Sequence, residues 1–159
     1  MVGLTSVEFA LAAFHRDGEW QVEQLTESVL VDVETLAAGL HRFPADGGAL
    51  ALIGLDEDAF LVVRTSVAQT RLLLSDITTA DEWELARTAV EHLGLPFPED
   101  DDEEAPAGDL TLLSDLGVDA DTLAQLVDED RYADEVLSEV AALLGFGAAF
   151  DRAVGLTSS

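Results

Sequence analysis

The stretch from Pro96 to Gly108 decides how this chain can be divided. It holds three of the four prolines and the unbroken run Glu99-Asp100-Asp101-Asp102-Glu103-Glu104. Six adjacent like charges repel one another and cannot pack, so the stretch reads as a flexible acidic linker. The hydrophobic pattern changes across it. Before it, apolar residues alternate or form short unbroken runs; after it, they recur at spacings of three and four. The first pattern marks strands and the second marks helices. The predicted division is an α+β sheet domain at 1–95, the linker at 96–108 and a C-terminal helical subdomain at 109–156.

The sheet domain reads in the order ββαβββα, a mostly antiparallel five-stranded sheet. Phe9 and Leu11 follow Val7 at period two, and Asp17-Gly18 then supplies a hairpin turn, because Gly accepts the positive φ such a turn needs. Trp20 to Leu25 is the return strand. Asp32 can cap a helix whose apolar face is Val33, Leu36, Leu40 and Phe43. Ala49 to Leu55 is a nearly unbroken apolar run, as expected of a strand buried on both faces. Phe60 to Arg64 and Arg71 to Leu74 complete a meander. Thr79 and Glu82 have capping-box spacing ahead of a helix that ends near Leu93, where Gly94 and Pro96 stop it.

The tail reads as three or four short helices. Leu110, Leu112, Leu113 and Leu116 form the first apolar patch. Asp119 caps a second segment bearing Leu123, Leu126 and Val127. The third runs from about Ala133 to Leu144, with Val136, Leu137, Val140, Leu143 and Leu144 on one side. A last turn at Ala149 to Val154 is packed by Phe150.

Charge limits what this chain can bind. It has 33 Asp plus Glu against seven basic residues, all of them Arg, for a net charge of −26. Phosphate backbones are bound through Lys and Arg with counterion release, so direct contact with nucleic acid or an anionic membrane is not expected. Strong negative charge favours solubility and attracts basic partners. Hydrophobic residues make up 48% of the chain, enough for a core. There is no Cys, which excludes disulfides, thiolate zinc sites and Cys nucleophiles. The N-terminus lacks the basic region of a signal peptide, and no apolar run is long enough to span a bilayer. A cytoplasmic protein is expected.

No catalytic constellation appears. His15, His41 and His92 fall on three separate elements without metal-ligand spacing. No segment has the calcium-loop pattern of acids, Gly and terminal Glu. Gly47-Gly48 is followed by neither phosphate-loop signature. The serines lack a Gly-flanked nucleophile turn. No catalytic residue, cofactor or metal is therefore assigned, and the chain is read as not an enzyme. One segment differs in kind. Asp128, Glu129, Asp130, Arg131, Tyr132, Asp134 and Glu135 set a Tyr and an Arg among acids, and Tyr and Arg are favoured at interfaces. These residues are the candidate partner interface. A solvated helix start, with acids at the positive end of the helix dipole, is the plainer account of the acids.

Several segments resemble the actinobacterial tRNA adenosine deaminase-associated protein family. They are the hairpin from Phe9 to Trp20, Arg71 to Asp76 at the sheet's end, Gly108 to Gly117, and above all Asp134 to Gly147 followed by Phe150. The resemblance covers roughly residues 7 to 154. It implies association with the deaminase, not deaminase activity: that zinc chemistry needs H-x-E and P-C-x-x-C, and neither is present. The resulting reading is a non-catalytic acidic accessory protein, a binding partner or regulator of the tRNA adenosine deaminase. A general acidic chaperone or adaptor for another basic client, or an enzyme of unrecognised type, are the alternatives. Homo-oligomerisation is left open by the sequence.

Overall fold

In the computed structural model, the described residues are 9–25, 30, 32–42, 49–55, 59–65, 70–81, 83–95, 106–128 and 132–154. Among these residues there are six strands: β1 (Phe9–Arg16), β2 (Glu19–Gln24), β3 (Ala49–Gly54), β4 (Phe60–Thr65), β5 (Thr70–Leu74) and β6 (Ala107–Gly108). They form one sheet in the order β2-β1-β3-β4-β5-β6, and every neighbouring pair is antiparallel. The helices are α1 (Val33–Leu40), α2 (Glu84–Leu93), α3 (Ala120–Asp128), α4 (Ala133–Leu144) and α5 (Gly147–Val154).

The α+β class and the antiparallel sheet agree with the sequence reading, but the strand count does not. The sixth strand lies at the end of the stretch read as linker. It pairs Leu73 with Gly108 and Leu74 with Ala107, and the Asp109 N–H extends the contact to the Leu72 carbonyl at 2.9 Å. Two residues beside prolines and acids carry no period, so nothing in the pattern marks them as a strand. Residues 96–105 of the expected linker lie outside the described residues.

The alternation along each strand sends side chains to two faces, and helices cover both. On one face Ala12, Phe14, Ala51, Ile53, Leu61, Val63, Leu72 and Leu74 pack against Leu36 and Leu40 of α1 and Leu85, Ala86 and Val90 of α2. On the other, Leu11, Ala13, Leu50, Leu52, Phe60, Val62 and Leu73 pack against Leu123, Val136, Leu137, Val140 and Phe150 of the C-terminal helices. The helices of 109–156 thus share a core with the sheet. β3 and β4 are buried along their whole length, which explains why their sequences are apolar runs rather than alternations.

Local signals account for most element ends. Asp17 and Gly18 both have positive φ (54° and 83°), as a two-residue type I′ turn requires. The Asp32 carboxylate accepts the Thr35 N–H at 2.7 Å and caps α1, and Asp119 accepts the Thr122 N–H at 2.8 Å ahead of α3. Gly94 and Gly145 end α2 and α4 in the left-handed conformation. Two expectations are corrected. The Thr79 hydroxyl donates to the Asp76 carbonyl at 2.7 Å, residues 77–81 form a short 3-10 turn, and α2 begins only at Glu84. The Leu110–Leu116 patch is turns and a 3-10 segment (Ser114–Leu116), not an α-helix, because the Asp109 carboxylate takes the Thr111 N–H and hydroxyl. Phe43, expected on the apolar face of α1, lies outside the described residues, as do Pro44 and Gly47-Gly48.

Candidate partner interface

The segment singled out in the sequence surrounds the start of α4. Tyr132 is extended (φ −68°, ψ 149°) and stands at the helix N-cap; its N–H donates to the Glu135 carboxylate at 3.3 Å, and its carbonyl accepts the Val136 N–H at 3.0 Å. Asp134 and Glu135 occupy the first turn, where carboxylates face the positive end of the helix dipole. The far side of α4 is driven into the sheet: Val136, Leu137, Val140, Ala141 and Leu144 are buried. That burial fixes the helix's rotation and decides which side chains remain outside.

What remains outside is a stripe. Tyr132 is 57% exposed and Leu143 is 49% exposed, and Glu135 and Glu139 lie between them on the solvent side. Positions 132, 135, 139 and 143 are spaced by three, four and four, so they follow one line along the helix. At 1.5 Å per residue the line is roughly 16 Å long. Tyr132, Leu143 and Leu95 are the large hydrophobic residues exposed among those described. The stripe is thus an acidic strip with an exposed hydrophobic residue at each end. Singly exposed hydrophobic residues are common on protein surfaces; what makes this stripe a candidate interface is the alignment of Tyr132 and Leu143 with two acids along one helix face.

Of the predicted interface residues, Tyr132 and Glu135 lie on this stripe, and Asp134 is half-buried beside it. Asp128 ends α3; its side chain, with Glu129, Asp130 and Arg131, lies outside the described residues. Two stripe members were not in the prediction. Glu139 was legible as position seven from Tyr132. The sequence pattern puts both Leu143 and Leu144 on the buried side of α4, but only Leu144 faces inward, and Leu143 is exposed.

The stripe's far end meets the hairpin. Leu144, Gly145 and Phe146 follow Leu143 in the chain, and the Phe146 ring lies 4.8 Å from that of Trp20 on β2. His15 stands edge-on to the same indole, with centroids 5.4 Å apart. The other histidines are distant from it in sequence and element: His41 closes α1, and the His92 ring lies 3.2 Å from the Thr70 carbonyl. Among the described residues no three His, Asp or Glu side chains converge to hold a metal ion. No helix among them is long and apolar enough to cross a membrane.

Comparison with known proteins places these features in a family context. Residues 8–147 match the family described as Rv3753c-like tRNA adenosine deaminase-associated protein. The chain is similar to Protein Rv3753c of Mycobacterium tuberculosis (strain ATCC 25618 / H37Rv), with 32% identity over 142 residues that cover 87% of this chain and 82% of that protein. No solved structure matches the chain significantly.

Proposed function

The chain belongs to the Rv3753c-like tRNA adenosine deaminase-associated protein family, and on that premise we propose that it is a non-catalytic accessory protein that binds a tRNA adenosine deaminase in the cytoplasm. An enzyme that acts on tRNA must present basic surface to the phosphate backbone. A chain at −26 with no Lys is complementary to such a surface. The observation that carries the reading is the exposed stripe on α4. Tyr132 and Leu143 would supply the apolar anchors, and Glu135 and Glu139 the charges that choose a basic partner. Asp134 is half-buried beside the stripe, and Asp128, Glu129, Asp130 and Arg131, close to it in sequence, are proposed to belong to the same interface. The role needs neither cofactor nor metal.

Titration calorimetry of the purified chain against the tRNA adenosine deaminase of the same organism tests this, at low and at moderate salt. Saturable binding is expected, weakening steeply as salt screens the charges. Tyr132→Ala should weaken it at both salts, because truncating a buried aromatic anchor costs about 2 kcal/mol or more. Absence of binding at either salt sinks the proposal.

A further inference from the structure

We propose that the open edge of β2 accepts an extended basic segment of a partner protein as an added strand. The phase of the hairpin leaves certain backbone groups pointing outward. Arg16 and Glu19 flank a two-residue turn, and the Leu25 N–H donates to the Ala10 carbonyl at 2.9 Å. These two points fix the bonded pairs of the β1–β2 ladder at Arg16 with Glu19, Phe14 with Gln21, Ala12 with Glu23 and Ala10 with Leu25. The N–H and C=O groups of Trp20, Val22 and Gln24 therefore point away from β1, to the sheet's outer edge. Among the described residues, β2 ends the strand order on that side. At the opposite end of the sheet, by contrast, β6 and the Asp109 turn cover part of β5.

Charge identifies the occupant. Glu19, Gln21 and Glu23 project to one face of β2 and are exposed, while Trp20 and Val22 project to the other and pack on the C-terminal helices. An incoming strand would meet carboxylates at alternate positions along one face. Opposite charges directly across a ladder stabilise it and like charges destabilise it. A second copy of this chain would bring another −26 to the contact and more carboxylates beside Glu19 and Glu23. A strand with Lys or Arg at alternate positions pairs its side chains with these acids while its backbone takes the outward groups of Trp20, Val22 and Gln24. This is strand addition, in which main-chain bonds give affinity and side chains choose the partner. Trp20 also touches Phe146, so the edge adjoins the end of the α4 stripe, and one basic partner could span both.

The inference rests on the accessory reading only for the class of partner, a basic protein, and its test does not use the deaminase. The probe is a synthetic peptide of alternating Lys and Thr, compared with the same peptide N-methylated at alternate amides, which keeps the charge and removes strand bonding. Affinity is followed by NMR, together with hydrogen exchange of the Trp20, Val22 and Gln24 amides. Binding should protect those amides, and N-methylation should weaken it at least about tenfold, the loss expected when ladder bonds are left unmade. Val22→Pro should do the same: its N–H makes no bond to β1, and Pro is tolerated on sheet edges. Glu19→Gln with Glu23→Gln should weaken binding several-fold at low salt. Equal binding of the two peptides would overturn the inference in favour of charge attraction alone, and so would no binding, or concentration-dependent protection of the edge without peptide. Peptide binding without deaminase binding would overturn the accessory reading and leave the edge site standing; deaminase binding without peptide binding would do the reverse.

Discussion

Trp20 and Phe146 meet with ring centroids 4.8 Å apart and planes tilted by 42°, which joins the β1–β2 hairpin to the junction between α4 and α5. Phe146 is buried, and Gly145 beside it passes close enough that a Cβ there would lie 3.6 Å from the indole. Phe146→Ala should cost about 3 kcal/mol, within the range for large-to-small changes in a core. It should also expose the indole. In a Trp83→Phe background, Trp20 is the sole tryptophan, so its fluorescence should shift to the red in the folded state. Urea unfolding followed by that signal checks both effects.

Gly108 and Gly18 both have positive φ, 127° and 83°, but only one is hemmed in. A Cβ on Gly108 would run into the Leu72 carbonyl and lie 2.8 Å from the Leu73 Cα, whereas nothing approaches a Cβ on Gly18. Gly18→Ala meets only the left-handed penalty, about 1 kcal/mol. Gly108→Ala meets that penalty and must also push β6 off β5, so it should cost more than about 2 kcal/mol. Thermal unfolding of the two variants side by side measures the difference. Equal losses would mean that β6 contributes little to the sheet.

The contrast between these glycines also explains what was legible in the sequence. Asp17-Gly18 sits between two alternating runs, and the turn follows from local chemistry. Gly108 sits after Pro106 in an acidic stretch, and its conformation is set by a strand thirty-odd positions earlier, which no local pattern encodes. The same division holds at the candidate interface. The start of α4 at about Ala133 and the acids in its first turn were readable because they are local. The outward turn of Leu143 was not, since Leu143 and Leu144 are chemically alike and only packing against the sheet chooses between them. Likewise the tail's hydrophobic faces were evident, but not that the sheet's second face would be their partner.

Asp32 makes the stability of α1 depend on pH. Hydrogen bonds from the Thr35 backbone N–H and then its hydroxyl hold the Asp32 carboxyl below the ordinary carboxylate range; burial acts weakly the other way. Asp119 is lowered likewise, first by the Thr122 backbone N–H and then by its hydroxyl. A depressed folded-state pKa means a stabilisation fully present above the unfolded value, about 3.9, and lost as pH falls through the folded value. Asp32→Ala should therefore cost about 1 kcal/mol near neutral pH, as for a lost N-cap. The gap between variant and parent should close below about pH 4. The parent's own curve mixes in relief of the −26 self-repulsion on acidification, so the difference between the two proteins, measured by urea unfolding at each pH, is the quantity to follow.

Arg64 and Arg71 are direct cross-strand neighbours on β4 and β5, and their surroundings assign them different weights. Arg64 is only 8% exposed, and its Nη1 donates to the Leu112 carbonyl at 2.9 Å, which ties the turn after β6 to the middle of the sheet. Arg71 is partly exposed and lies 3.5 Å from the Asp109 carboxylate. The Asp109 carboxyl is pushed up by burial, but bonds from the Thr111 hydroxyl and N–H and the nearby Arg71 bring it below the ordinary range. Removing Arg64 deletes a charged donor and strands a buried carbonyl, so Arg64→Ala should cost about 3 kcal/mol. Removing Arg71 loses a half-exposed ion pair and relieves a like-charge neighbour, so Arg71→Ala should stay within about 1 kcal/mol. Added salt should shrink the Arg71 effect and leave the Arg64 effect nearly unchanged, because a buried bond is screened far less than one open to water. Denaturant midpoints of the two variants at low and high salt distinguish these outcomes. An Arg64 loss that faded with salt would mean that its guanidinium acts through exposed charges, not through the Leu112 carbonyl.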